Sequence, residues 1–215
     1  MGRPKERTPE LRSRVLRVAL ALLDDGGVAG FTARRVAAGA DTSTPALYEL
    51  FGDRAGLIRS MFFEGFGRLG DRIEALGSSE QPRADLEDVV AAVRAFVLES
   101  PVLAQVMFSR PFADFDPGPQ ESEAGRRVRE HIVGRVRRCL DAGLLFGDPT
   151  DIAHVLLALA QGLSAQESAG WLGTSRASID RRWSLAVRAT LDGMAPPGPL
   201  PKTHGPRGPT VRSRT

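Results

Sequence analysis

The sequence predicts an all-α protein, and three observations carry that prediction. Apolar residues recur at three- and four-residue spacing along nearly the whole chain, no run of alternating β-branched residues is bounded by hairpin turns, and the breaks between periodic stretches hold helix-capping or helix-stopping residues. The first helix is expected from Thr8-Pro9-Glu10, with Thr8 as N-cap and Pro9 at the first helical position, through Leu11, Val15, Val18, Ala19 and Leu22 to a stop at Asp24-Asp25-Gly26-Gly27. A second, Thr32 to Ala38, is capped by Thr32, has Val36 and Ala37 inward, and ends in a turn at Gly39-Ala40-Asp41-Thr42. A third runs from Thr44 to Phe51, capped by Ser43 or Thr44, with Pro45 in its first turn. Gly52-Asp53 then breaks the chain before a long helix from Arg54 to about Leu76. Beyond Gly77 to Pro82, helical stretches fit residues 84–99, 102–109, 122–143, 149–168 and 175–194, about nine helices in all. The basic, Pro/Gly-rich tail from Pro196 has almost no large apolar groups to offset chain entropy, and disorder is expected there. This divides the chain into an N-terminal arm and head (1–54), a larger helical body (55–195) and a tail (196–215).

Composition narrows the function classes. A chain of 215 residues with 42% hydrophobic content can bury a substantial core. Its single cysteine, Cys139, excludes an internal disulfide, and no Cys/His cluster has zinc spacing, so no metal or other cofactor is expected. The N-terminus has no apolar leader, and the longest nearly apolar stretch, Ile152 to Leu163, falls short of the roughly 20 residues of a membrane span. A cytoplasmic protein with no membrane partner is the expectation. Net charge is +2 over residues 1–54, −3 over 55–195 and +4 over 196–215, an asymmetry that suits a small nucleic-acid-binding head on a body with another task.

Three short helices within about 45 residues, the second and third joined by a tight turn, have the outline of a helix-turn-helix. The third places Ser43, Thr44, Pro45, Ala46 and Tyr48 in its N-terminal half, small polar groups and a phenol suited to close approach to base edges and phosphates, with Leu47, Leu50 and Phe51 on the buried side. Phe31-Thr32-Ala33-Arg34-Arg35-Val36-Ala37, then Ala40, Ser43, Pro45-Ala46-Leu47-Tyr48-Glu49-Leu50-Phe51, Asp53-Arg54 and Leu57-Ile58 resembles the DNA-binding domain of TetR-family transcriptional repressors, without a gap over about residues 8–58. The resemblance implies that the third helix enters the major groove of a double-stranded operator, that Tyr48 and Arg54 contact phosphates, and that the fold is a homodimer of nine- or ten-helix protomers. Thr32 at its helix terminus and Arg34 are further candidate phosphate contacts, and Arg3 in Gly2-Arg3-Pro4-Lys5 is similar to Gly-Arg-Pro arms that lie in AT-rich minor grooves. Arg34 and Arg35 read equally as a solvated face. Two residues depart from the family pattern. Asp41-Thr42 replaces the usual Gly-Val of the turn, which Asp tolerates because it accepts a left-handed conformation. Glu49 is an acid where the family has a basic or neutral residue; it either accepts from a cytosine amino group or pairs with Arg54.

For the body, the resemblance implies a pocket for a small-molecule effector among helices four to eight and a dimer interface on the last two. Candidate ligand contacts are the aromatic, sulfur and polar residues Phe62, Phe66, Phe96, Met107, Phe108, Arg110, Phe112, Gln161 and Trp171, although stripes of this kind are more often plain core than a ligand box. The interface is expected from the broad apolar faces Ile152, Val155, Leu156, Leu159 and Ile179, Trp183, Val187, Leu191. Leu157 to Leu163 also resembles a C-terminal subclass of the family, with Gln161-Gly162 in place of a His-Gly pair.

Enzyme readings fail on spacing. Gly65-Phe66-Gly67-Arg68-Leu69-Gly70 matches G-x-G-x-x-G but lies within a predicted helix with no strand before it, so it is no dinucleotide loop. Cys139 and His131 are eight residues apart on one predicted helix, about 12 Å by the helical rise and out of proton-transfer reach. The expectation is therefore a ligand-responsive, dimeric, DNA-binding repressor and not an enzyme; the alternative is a helical ligand-binding or interaction protein whose head has lost specific DNA binding.

Overall fold

The computed structural model describes residues 9–109, 112, 115 and 118–196, and among them are ten α-helices and no strand. They are α1 (Pro9–Gly30), α2 (Ala33–Gly39), α3 (Thr44–Phe51), α4 (Arg54–Glu74), α5 (Pro82–Glu99), α6 (Pro101–Phe108), α7 (Pro119–Ala124), α8 (Arg126–Asp141), α9 (Pro149–Ser168) and α10 (Arg176–Gly193). The fold is all-α, as the periodicity predicts. Thr8 and the tail beyond Pro196 lie outside the described residues.

Capping explains the boundaries. Thr32 accepts from the Arg35 amide at 3.3 Å, Ser43 from Ala46 at 3.2 Å and Asp53 from Gly56 at 2.7 Å, each satisfying an amide with no partner inside its helix. Ser43 rather than Thr44 is thus the cap of α3. Two boundaries differ from expectation. The first helix passes the Asp24–Gly27 stop and kinks at Gly27 (φ 58°, ψ −163°) before ending at Gly30. The stretch 122–143 is two helices, α7 and α8, meeting at Gly125, where an added Cβ would stand 3.3 Å from the Phe66 ring.

Two apolar cores organise the chain. The first joins α1, α2 and α3 to the opening turns of α4 through Val15, Val36, Leu47, Leu57, Ile58 and Met61, all at most 1% exposed. It also takes in Val106 of α6 and the loop residues Phe112 and Phe115, so the head's core does not stop at residue 54. Each such buried side chain contributes about 1.5–3 kcal/mol of transfer free energy. The second core fills the space among α4, α5, α6, α8, α9 and α10, and Leu20 and Phe66 pack against both.

The body uses most of the apolar surface expected at a dimer interface. Ile152, Leu156, Trp183, Val187 and Leu191 are 0–8% exposed and belong to the protomer's own core. The reason is placement: α9 packs against α5, α8 and α10 together, so its broad apolar face is consumed within one chain. Of the expected interface residues, Val155 is exposed, while Leu159 and Ile179 are half-buried.

Polar braces tie these elements. Asp85 accepts from the Ser79 amide (2.9 Å) and hydroxyl (2.6 Å) and pairs with Arg138 of α8; the Ser79 bonds foremost, opposed by burial and assisted by Arg138, hold its carboxyl down at about 2. Glu167 near the end of α9 receives Arg94 in a two-pronged pair (2.8 and 2.9 Å) and Trp183 Nε1 at 2.7 Å. Among the described residues, no single helix is long and apolar enough to cross a membrane.

Candidate functional site

The head presents α3 as a braced, partly bare helix. Leu47 (0% exposed) and Phe51 (8%) lock it into the first core. Ser43, Pro45, Tyr48 and Glu49 face solvent, with Thr44 and Ala46 half-buried between them. The preceding turn closes through Ala40 N to Val36 O (3.0 Å), Asp41 N to Ala38 O (3.1 Å) and Thr42 N to Ala37 O (2.9 Å), with Asp41 in the left-handed region at φ 49°. The non-glycine turn therefore keeps the angle between α2 and α3, because a short polar side chain tolerates that backbone.

Two arginines that sequence reasoning passed over hold the unit rigid. Arg14 Nε donates to Ala40 O at 2.9 Å, tying α1 to the turn. Arg12 donates to Leu50 O (3.2 Å) and Ser60 Oγ (2.8 Å), and its guanidinium stands 4.6 Å from the centre of the Phe51 ring. Their signal was available: both fall on the polar side of α1 between inward Leu11, Val15 and Leu16.

Of the other expected contacts, Thr32, the cap of α2, and Arg34 on that helix are exposed, and Arg34 makes no ion pair among the described residues. Arg35 instead donates to Gly30 O at 3.0 Å, capping the end of α1. Arg54 is half-buried with its guanidinium 5.5 Å from the Phe31 ring centre and 5.2 Å from that of Phe112, so it also holds Phe112 against the head. Arg3 lies outside the described residues.

A cavity of about 310 Å³ opens among α4, α6, α7, α8 and α9. It gathers Phe62, Phe66, Met107, Phe108 and Gln161 of the expected ligand residues. The other expected ones go elsewhere. Phe96 is buried in the second core on α5, Phe112 sits in the head's core 5.4 Å from Phe31, and Trp171 is 78% exposed. Each is an apolar aromatic in the sequence, and ring chemistry alone does not say which face of the fold a ring meets. Arg110 lies outside the described residues. Glu121, Arg129 and His154 also line the cavity and were missed. Helical spacing held a clue to two of them, since His154, Leu157 and Gln161 share one face of α9, and Arg129 borders the inward Val128 and Ile132 of α8.

Glu121 is 4% exposed, pairs with Arg59 of α4 and accepts from the Gly118 amide at 2.8 Å; Arg59 foremost keeps its carboxyl below the usual range. His154 Nδ1 lies 2.8 Å from Thr150 O, which only accepts, so that nitrogen carries the proton. A larger open groove of about 990 Å³ between α5 and α10 is lined by the charged Arg94, Asp180, Arg181 and Arg188 over the buried Val90, Trp183 and Val187. The smaller cavity has the ligand-like lining, mostly apolar with a few converging polar groups.

Aromatic contacts run from the cavity to the head. Phe66 meets Phe108 (5.9 Å) and Phe62 (4.9 Å), and Phe62 meets Phe115 (5.7 Å) in the head's core. Gly65 makes this packing possible: a Cβ there would overlap Met107 Sδ, so its absence lets α6 lie close on α4. The three glycines of the G-x-G-x-x-G match all fall inside α4. Cys139 is fully buried, which pushes its thiol up.

A braced helix-turn-helix head continuous with a helical body that holds an apolar cavity is the architecture of a helix-turn-helix transcriptional regulator. Residues 15–61 match the family model described as "Bacterial regulatory proteins, tetR family", and residues 86–190 match "Tetracyclin repressor-like, C-terminal domain". The chain belongs to the TetR family of transcriptional regulators. It is 27% identical over 188 residues to the HTH-type transcriptional repressor KstR of Mycolicibacterium smegmatis, covering 85% of this chain and 87% of that protein. It is 21% identical over 151 residues to an HTH-type transcriptional regulator of Mycobacterium tuberculosis, and that match covers 69% of this chain but only 63% of the relative. Among solved structures, a Rhodococcus sp. RHA1 protein of unknown function superposes with a TM-score of 0.76 at 26% identity, covering 90% of this chain and all (100%) of that one. The fatty acid degradation regulator FadR from Bacillus halodurans shares the fold, with a TM-score of 0.69 at 13% identity over 87% of this chain and 97% of its own.

Proposed function

We propose that this regulator is a ligand-responsive repressor that binds a near-palindromic operator as a homodimer and is released by a small apolar or amphipathic effector. The observation that carries the reading is α3, whose inner residues are locked and braced while Ser43, Pro45 and Tyr48 stay bare. Major-groove insertion of α3 gives Ser43, Thr44, Pro45, Ala46 and Tyr48 to bases and phosphates, with Thr32, Arg34 and Arg54 on the flanking backbone and the Arg3 arm in an adjacent minor groove. Two such helices in a dimer reach successive grooves about 34–36 Å apart. The left-handed Asp41 supports a working turn, which weakens the alternative of a head without specific binding.

The dimer surface in this reading is the outer face of α9 and α10. Val155, Ala158, Gly162 and Ala165 are exposed at helical spacing on α9, and Leu185 is 63% exposed on α10. Small side chains permit close helix approach, and an isologous pair would cover this face. The boundaries proposed for the working units remain 1–54, 55–195 and 196–215, with apolar contacts of Phe112 and Phe115 crossing the first of them.

The test is fluorescence anisotropy of the purified protein on duplexes from its own upstream region, across salt, against a scrambled duplex. Tight, salt-sensitive binding that prefers the native duplex is expected. Equal weak binding to both, and to duplexes from a genome-wide selection, would overturn the repressor reading.

A further inference from the structure

The ligand chemistry of the effector cavity is legible from its two ends. The deep end is built by buried Phe62, Met107, Val128, Ile132 and Ala153. The outer end is polar: Ser122 and His154 are exposed and Arg129 and Gln161 half-buried. A ligand matching both ends is amphipathic, with its apolar body inward.

Charge decides the head group. The acids around the start of α8 already have cations, since Glu121 pairs with Arg59 while Glu123 and Glu130 pair with Arg126. Arg129 makes no ion pair among the described residues, although it lies on the cavity wall. A guanidinium at the rim of an apolar cavity is a two-pronged donor for a planar acid group, strengthened by partial exclusion of water. The cavity's 310 Å³ equals about ten water volumes at roughly 30 Å³ each, room for a body of about ten to fifteen non-hydrogen atoms.

We infer that the effector is a compact amphipathic carboxylate whose apolar body fills the cavity and whose head group pairs with Arg129. This rests on the reading of the cavity as the effector site. Decanoate is a probe of the right size and charge, with decanol as its neutral counterpart and decyltrimethylammonium as its cationic one. Binding is measured by titration calorimetry on the full chain, below the micellar range, for the wild type and for Arg129→Gln, Leu157→Trp and Ser122→Trp; circular dichroism checks each fold. The second tryptophan variant, at an exposed position on the cavity mouth, serves if the first does not fold.

In the wild type, decanoate is expected to bind about tenfold more tightly than decanol, and the cationic probe more weakly than either. Arg129→Gln should bring decanoate to the level of decanol while leaving decanol unchanged. Equal affinities in the wild type, or a decanoate preference that survives Arg129→Gln, would overturn the carboxylate inference while decanol binding blocked by the tryptophan variants kept the cavity reading. Probes that bind undiminished to the tryptophan variants lie elsewhere, and that result, like no binding of any probe, would overturn both.

Discussion

Gly65 and Gly67 lie two residues apart on α4, yet replacing each with alanine should have different consequences. An added Cβ at Gly67 meets nothing within 4 Å, so Gly67→Ala gains about 1 kcal/mol of helix propensity at no packing cost. Gly65→Ala gains the same propensity, but its Cβ would overlap Met107 Sδ and stand 3.1 Å from Leu103 Cγ. Overpacking of that kind costs about 1–3 kcal/mol, which leaves Gly65→Ala between neutral and about 2 kcal/mol destabilised. For a chain of this size 1 kcal/mol moves Tm by about 2–4 °C, so the two variants should melt about 2–12 °C apart, with Gly67→Ala above the wild type. Thermal unfolding followed by circular dichroism, at fixed protein concentration, reads this directly. A Gly65→Ala protein melting level with or above Gly67→Ala would refute the close α4–α6 packing. The same pair tests transmission: if the glycines make α4 pliable, Gly67→Ala also blunts effector-driven release of DNA, and unchanged coupling would sink that part.

Four further outcomes follow from named contacts. Asp85 has a carboxyl held near 2 against an ordinary 3.8, so its stabilisation is complete above about 4 and is lost as pH falls through about 2; Asp85→Asn should lower Tm at pH 7, and the gap should close on acidification over that window. Arg34→Gln should weaken binding to all duplexes alike and reduce the salt slope by about one, with Tm unchanged; a selective loss on one base pair would instead make Arg34 a base reader. Gly162 faces open space, so Gly162→Arg should leave the protomer folded and shift size-exclusion light scattering from dimer to monomer; a persistent dimer would remove α9 from the interface. Phe112→Ala deletes a ring packed on Phe31 beneath Arg54 and should cost about 3–5 kcal/mol, the usual range for a buried aromatic, while weakening release by effector more than binding of DNA.

The elements whose formation is local were legible in the chain itself. Thr32, Ser43 and Asp53 cap the helices after them, and Asp41 takes the left-handed turn, because these are interactions over two to four residues whose geometry the backbone dictates. The all-α class followed from periodicity, and the helix-turn-helix from a pattern dense enough to identify the family. The same reasoning could not choose among equivalent apolar stripes. Ile152, Leu156 and Trp183 read as an interface face and Phe96 and Trp171 as a ligand box, but periodicity reports that a face is apolar without naming the surface that covers it. Tertiary packing made that choice. It put α9 between three helices, turned Phe112 and Phe115 into the head's core, and brought Arg129, His154 and Glu121 from three separate helices to one cavity wall. Local sequence specifies each helix and its polar caps, whereas long-range burial, shared among every apolar stripe at once, decides which of them remain open to bind a ligand, a second chain or DNA.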